Sequence, residues 1–156
     1  MNVYADTSFF VSLYLPDRHS SEAQGRLTEQ PRLWLTPLHR AEWTHAIAQH
    51  VFLGKMSARE AQRVYRDFEK DRTNSLWAEI DLPDAAFELL RELPARQSHG
   101  PILLSLKIVP YLVVSKRGST PDTLHVAAAL ELGAEHFWTF DERQAKLAKA
   151  GGLELT

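Results

Sequence analysis

The chain has 156 residues, 44% of them hydrophobic and 24% charged, which suits one soluble domain, spanning 1-156, with a sizeable core. It contains no cysteine, which excludes a disulfide framework, a thiolate zinc site and a Cys nucleophile, so any metal must be held by carboxylates or imidazoles. The net charge of −2 gives no overall steering toward a polyanion, so any nucleic-acid contact must use locally gathered basic residues. The N-terminus lacks a basic region followed by an apolar run, and no segment has the apolar length of a membrane span. The expectation is a cytoplasmic protein with no membrane partner.

Val3 and Tyr4 read as a short strand, Asp6-Thr7-Ser8 as the turn out of it, and Phe9-Phe10-Val11 as the start of a helix that stops before Pro16. Asp6 therefore stands at a strand's carboxyl end, as a helix cap or as a metal ligand. A second short helix follows around Ser20 and Ser21. Leu33-Trp34-Leu35 reads as the second strand, and Thr36-Pro37 behind it as a helix start running to Gly54, with Glu42 in the second turn. Ser57 and Glu60 fit a capping box that opens the next helix. Along it Lys55, Arg59, Arg63, Arg66 and Lys70 align as a basic stripe, either a solvated face or an RNA-contacting surface.

Leu76 to Ile80 suggests another strand, and Pro83-Asp84 opens a helix ending near Pro94. Residues 99 to 119 form an atypical apolar segment broken by Ser105, Lys107 and Pro110, read as two short strands or as an extension that packs on a partner. In STPDTLHVAAALELG, Asp122 lies in the first turn of a helix that Gly133 ends. Phe137 to Phe140 reads as a strand, Asp141 as the N-cap of the last helix with Gln144 at the box position, and Leu153 to Leu155 as an edge strand.

In a parallel α/β sheet all strand carboxyl ends and helix N-termini open on one edge, so the expectation is that Asp6, Glu42, Asp122 and Asp141 converge there. Crowded carboxylates repel one another and imply a cation, with oxygen ligands suiting magnesium or manganese. Such a site does phosphoryl chemistry.

The order of ADTSFF, HRAEWTHAI, PDTLHVAAALELGA and FWTFDERQAKLAKAGGLEL resembles the PIN-domain nucleases, and among them the VapC-like toxins of toxin-antitoxin pairs. The resemblance covers almost the whole chain except roughly residues 99 to 118. It implies a three-layer α/β/α sandwich around a central parallel sheet and an endoribonuclease with Mg2+ as cofactor, Mn2+ being the alternative. Products would carry a 5′ phosphate and a 3′ hydroxyl. The metal-binding acids it implies are Asp6 and Asp122 most directly, with Glu42 and Asp141 acting through water or a second ion. Thr7, Ser8 and Thr139 would support them, as would His125, three residues after Asp122. His45 stands where relatives often have Asn and is either a donor supporting the acids or a buried or surface histidine with a backbone partner. The partners it implies are RNA, a VapB-like antitoxin and a second copy in a homodimer. A non-catalytic partner-binding module and a magnesium-dependent small-molecule phosphohydrolase are the rival classes.

Overall fold

The computed structural model describes residues 1–88 and 120–155. Strands β1 (Asn2–Ala5), β2 (Arg32–Leu35), β3 (Ala78–Glu79) and β4 (His136–Trp138) form one parallel sheet in the order β3-β2-β1-β4. The chain steps from β1 to β2 to β3 in one direction, and β4 then returns to the far side of β1. This reversal between β1 and β4 is a topological switch point, where a parallel sheet leaves a crevice at its carboxyl edge.

Side-chain alternation explains the layers. Val3, Ala5, Leu33, Leu35 and Trp138 face one side, where they pack with residues of α1 (Thr7–Tyr14), α2 (Ser20–Leu27), α3 (Pro37–Phe52) and α4 (Ala58–Thr73). Tyr4, Trp34 and Phe137 face the other, against α5 (Thr120–Glu131) and α6 (Glu142–Ala150). Both faces are covered, so the strands carry unbroken apolar runs rather than a polar alternation. On the first face Trp43 stacks on Phe68 at 4.2 Å between ring centroids. On the second, the small buried side chains of Ala127, Ala128 and Ala129 bring α5 close to the sheet. Each large side chain fully buried in these layers contributes roughly 1.5–3 kcal/mol.

The expected α/β/α sandwich with a parallel sheet is the fold observed. Ser57 and Glu60 close the expected capping box on α4, and Gly54 and Gly133 take the positive φ that ends the preceding helices. Other expectations are corrected. Helix α1 begins at Thr7, two residues earlier than Phe9, because the Asp6 side chain itself accepts from the Phe9 N–H and caps it. Strand β4 ends at Trp138, so Thr139 and Phe140 leave the sheet and turn toward neighbouring loops. Only Ala78 and Glu79 of the 76–80 stretch pair as a strand, and the C-terminal stretch makes a single parallel bridge between Glu154 and His136. The helix opening at 84 is seen over residues 84–88, and the apolar segment at 99–119 lies outside the described residues. Among the described residues no helix is long and apolar enough to cross a membrane.

Candidate active site

The parallel ladder between β1 and β4 runs one residue past the strands, with the Asp6 N–H donating to the Trp138 carbonyl at 2.8 Å. That rung sets Asp6 beside Thr139. Asp6 is 4% exposed. Its Oδ1 accepts from the Ser8 hydroxyl at 2.6 Å and the Phe9 N–H at 3.1 Å, and its Oδ2 from the Thr139 hydroxyl at 2.6 Å. Burial nevertheless pushes the Asp6 carboxyl above the usual carboxylate range, against the pull of these donors and of His125. Among the described residues no Lys or Arg forms an ion pair with it. Asp6 is thus a deeply buried acid whose negative charge is incompletely compensated by the protein.

Glu42 is held from two other segments. Its Oε2 accepts from the Thr7 hydroxyl at 2.5 Å and from His125 Nε2 at 2.6 Å. His125 is 2% exposed, and its Nδ1 lies 3.0 Å from the Tyr4 hydroxyl. Burial works to raise the Glu42 carboxyl, but the hydrogen bond and charge of His125 and the Thr7 donation outweigh it and hold the group below its ordinary range.

The third and fourth acids come from α5 and the β4–α6 turn. Asp122 lies in the first turn of α5, where the helix dipole favours an anion. Asp141 caps α6, accepting from the Arg143 and Gln144 backbone N–H groups. The Arg143 guanidinium, 3.0 Å from Asp141, is the main reason this carboxyl sits below its usual range. Gln144 does not complete the expected capping box. It is buried, with Nε2 donating to the Asp122 backbone carbonyl at 3.1 Å and Oε1 lying 3.0 Å from the Thr139 Oγ1. The Asp141 N–H in turn donates to Thr139 Oγ1 at 2.9 Å. Thr139 therefore connects the ends of β1 and β4 with the start of α6.

Asp6, Glu42, Asp122 and Asp141 line one cavity of about 500 Å3, together with Thr7, Ser8 and His125. Thr139 supports its floor through Asp6. Two groups of expected residues lie elsewhere. His45 is exposed and does not line the cavity, whereas Ala46 does. On a helix of 3.6 residues per turn, position i+4 lies about 40° from Glu42 and position i+3 about 60° away on the other side, which turns His45 to solvent. Lys55, Arg59, Arg63, Arg66 and Lys70 are all exposed along α4 and its N-terminal approach, outside the cavity.

The donor set suits a hard cation: four carboxylates from separate segments, with oxygen ligands of the kind magnesium and manganese take. The incompletely compensated Asp6 fits the same requirement. Among the described residues no three His, Asp or Glu side chains are arranged around one ion's position, since Glu42 is drawn to Thr7 and His125 and Asp141 to Arg143.

Several residues of the site escape a reading of the sequence. His39, fully buried, accepts from the Thr36 N–H at Nδ1 and reaches the Ala5 carbonyl with Nε2 at 2.6 Å, fastening α3 to the residue before Asp6. Its place three residues after Thr36 is that of a capping-box acceptor, with imidazole in the role usually filled by Glu or Gln. Tyr4, Asp17, His19 and Phe140 carry no local signal of this kind.

A PIN domain family model matches residues 3–150. The chain belongs to the PIN domain family. Solved structures of similar fold include VapC20 of Mycobacterium tuberculosis, described as a sarcin-ricin loop cleaving toxin, with a TM-score of 0.60 at 15% identity over 92% of this chain and 93% of that one. Another is VapBC2 from Rickettsia felis bound to a DNA fragment from its promoter, with a TM-score of 0.61 at 16% identity over 100% of this chain and 98% of that one. Comparison with curated proteins gives no match. At these identities the two structures establish a shared PIN fold.

Proposed function

We propose that this PIN domain is a magnesium-dependent endoribonuclease, the toxin of a VapC-like toxin-antitoxin pair acting in the cytoplasm. The observation that carries the reading is the convergence of Asp6, Glu42, Asp122 and Asp141 on one cavity at the β1/β4 switch point. Asp6 and Asp122 would hold the ion, with Glu42 and Asp141 as further ligands directly or through water; manganese fits the same oxygens. When bound, the ion supplies water activation and charge neutralisation at the scissile phosphate.

The chain's own groups set the geometry for that chemistry. Ser8 and Thr139 fix both oxygens of Asp6, Thr7 and His125 hold one oxygen of Glu42, and Gln144 anchors the backbone of Asp122. The exposed basic stripe from Lys55 to Lys70 would grip RNA phosphates, which position a substrate without reading its sequence. Likeness in fold to VapBC2 supports a VapB-like antitoxin partner, and the resemblance of the sequence to VapC-like toxins adds a homodimer to the proposal. An antitoxin arm crossing the acidic cavity would place an Arg among the carboxylates. A phosphatase working through an aspartyl-phosphate is disfavoured, because position 8 is a serine that donates to Asp6 rather than a second carboxylate.

The test compares the unsubstituted chain with Asp6→Asn and Asp122→Asn for cleavage of total RNA in magnesium and in EDTA, and for growth arrest on expression. Cleavage and arrest confined to the unsubstituted chain, and cleavage only in magnesium, are expected. Equal behaviour of all three proteins overturns the catalytic reading and favours a partner-binding module.

A further inference from the structure

The cavity extends beyond the carboxylates to a second region of different character, lined by Val11, Ser12, Asp17, His19, Ala46 and Phe140. There the imidazole of His19 stacks on Phe140, with ring centroids 4.2 Å apart and planes 11° from parallel. Phe140 is braced from the interior by Phe9, whose ring centroid lies 6.0 Å away at 21°, and by the Arg26 guanidinium at 5.7 Å. The backbone that carries His19 is fixed as well. The His19 N–H donates to Asp17 Oδ1 at 2.7 Å, while the other Asp17 oxygen accepts from the Ser12 hydroxyl at 2.7 Å. Arg18 Nε donates to His19 Nε2 at 2.9 Å, a bond made at the ring nitrogen and not through the π-face.

The sequence position of Phe140 ties this stack to the acids. It lies between Thr139, which donates to Asp6, and Asp141, and its own N–H donates to the Ser8 hydroxyl at 3.3 Å. A group seated on His19 is therefore in register with the carboxylates through one short stretch of backbone.

We infer that the His19–Phe140 stack is a nucleobase subsite, on which one base of a single-stranded RNA stacks while its backbone runs over the carboxylates. This rests on the ribonuclease reading above and adds to it a preference for unpaired substrate. A base suits the region better than a phosphate does. Among the described residues no Lys or Arg lines the cavity, and Asp17 would repel an anion, whereas a neutral planar ring gains from a flat aromatic surface whatever its identity. Sequence-specific and single-strand RNA recognition commonly uses splayed bases stacked on aromatic or histidine side chains. Phe140 is the inner, structural ring of the pair, and His19 is the contacting one.

The experiment titrates a short single-stranded RNA carrying 2-aminopurine, and its matched abasic version, into the Asp122→Asn chain in magnesium and the unsubstituted chain in EDTA, each with and without His19→Ala or His19→Phe. Quenching of 2-aminopurine reports stacking. The expected result is tighter binding of the base-containing RNA with quenching, both lost on His19→Ala with affinity falling roughly 5- to 150-fold, and both kept on His19→Phe. His19→Phe preserves the aromatic face without the imidazole nitrogens, so its retention assigns the effect to the ring face, and an unchanged thermal unfolding transition of His19→Ala excludes a folding defect in that variant. Equal binding of the two RNAs, unchanged by His19→Ala, overturns the subsite and leaves the ribonuclease reading standing. Failure of every form to bind either RNA overturns both.

Discussion

Replacing Thr7 by valine removes one hydroxyl from the site and keeps the β-branched shape of the side chain. Thr7 is 9% exposed and its hydroxyl meets Glu42 Oε2 at 2.5 Å, a hydrogen bond to an ionised acceptor in a half-buried setting. Such bonds contribute about 1.5–3 kcal/mol. The Glu42 side chain is 27% exposed and keeps its bond from His125, so water and imidazole recover part of the loss, which places the cost near the lower figure. The added methyl offsets up to about 0.8 kcal/mol more. The net expectation is a destabilisation of about 1 kcal/mol, or roughly 2–4 °C in Tm for a domain of this size. Its pH dependence is the sharper test. Glu42 titrates below its unfolded value in the native state, so the stability it contributes is present above about pH 4.3 and is lost as pH falls through the folded pKa. Urea denaturation of both proteins in EDTA should show the full difference at about pH 7 and a shrinking one as pH falls through the lowered folded pKa of Glu42. A difference that persists undiminished in acid, or valine matching threonine at neutral pH, would refute the assignment of Thr7 as a Glu42 donor.

Asp6→Asn should act oppositely on the metal-free protein. Burial raises the Asp6 carboxyl in the native state, so its ionisation lowers stability as pH rises from the unfolded toward the folded pKa, and asparagine, still a good cap, relieves that cost. Thermal denaturation in EDTA at neutral pH should show a gain of roughly 1 kcal/mol, the scale of burying an imperfectly satisfied polar group, and magnesium should then add no further stability. Ser57→Ala removes the α4 cap and should cost about 1 kcal/mol in urea denaturation while leaving RNA cleavage unchanged. Substituting Arg59, Arg63 and Arg66 together by alanine should lower the slope of log binding constant against log salt by about 2 for single-stranded RNA; an unchanged slope assigns the stripe to solvent.

Much of this protein is written in short-range signals. The apolar triplets of β1 and β2, the Thr36-Pro37 helix start, the Ser57-Glu60 box and the glycines after α3 and α5 depend on residues within about one helical turn of one another, which is why the chain alone reveals them. The positions of the four acids were also legible, because Asp6 and Asp141 follow strands, Asp122 opens a helix and Glu42 lies early in the helix after β2, and a parallel sheet gathers such positions at one edge. The segment reading fails where one residue serves two purposes or where a side chain leaves its own element. Asp6 caps α1 and faces the cavity at once, Gln144 abandons the capping box for the Asp122 carbonyl, and His45 turns away although it stands close to Glu42 in the chain.

The chain alone carried most element types and the placing of acids at strand and helix ends, since propensity, capping and periodicity are local properties, while the sandwich came from the resemblance to a family. Only the tertiary structure decided how those acids are held. Thr139 reaches Asp6 across 133 positions and Tyr4 reaches His125 across 121, contacts created by the insertion of β1 between β2 and β4. The same strand order buries Asp6 and raises its pKa while His125 and Thr7 hold Glu42 ionised. Two similar carboxylates acquire opposite shifts because burial and hydrogen-bond donors belong to the assembled site, and no local pattern in the chain encodes either.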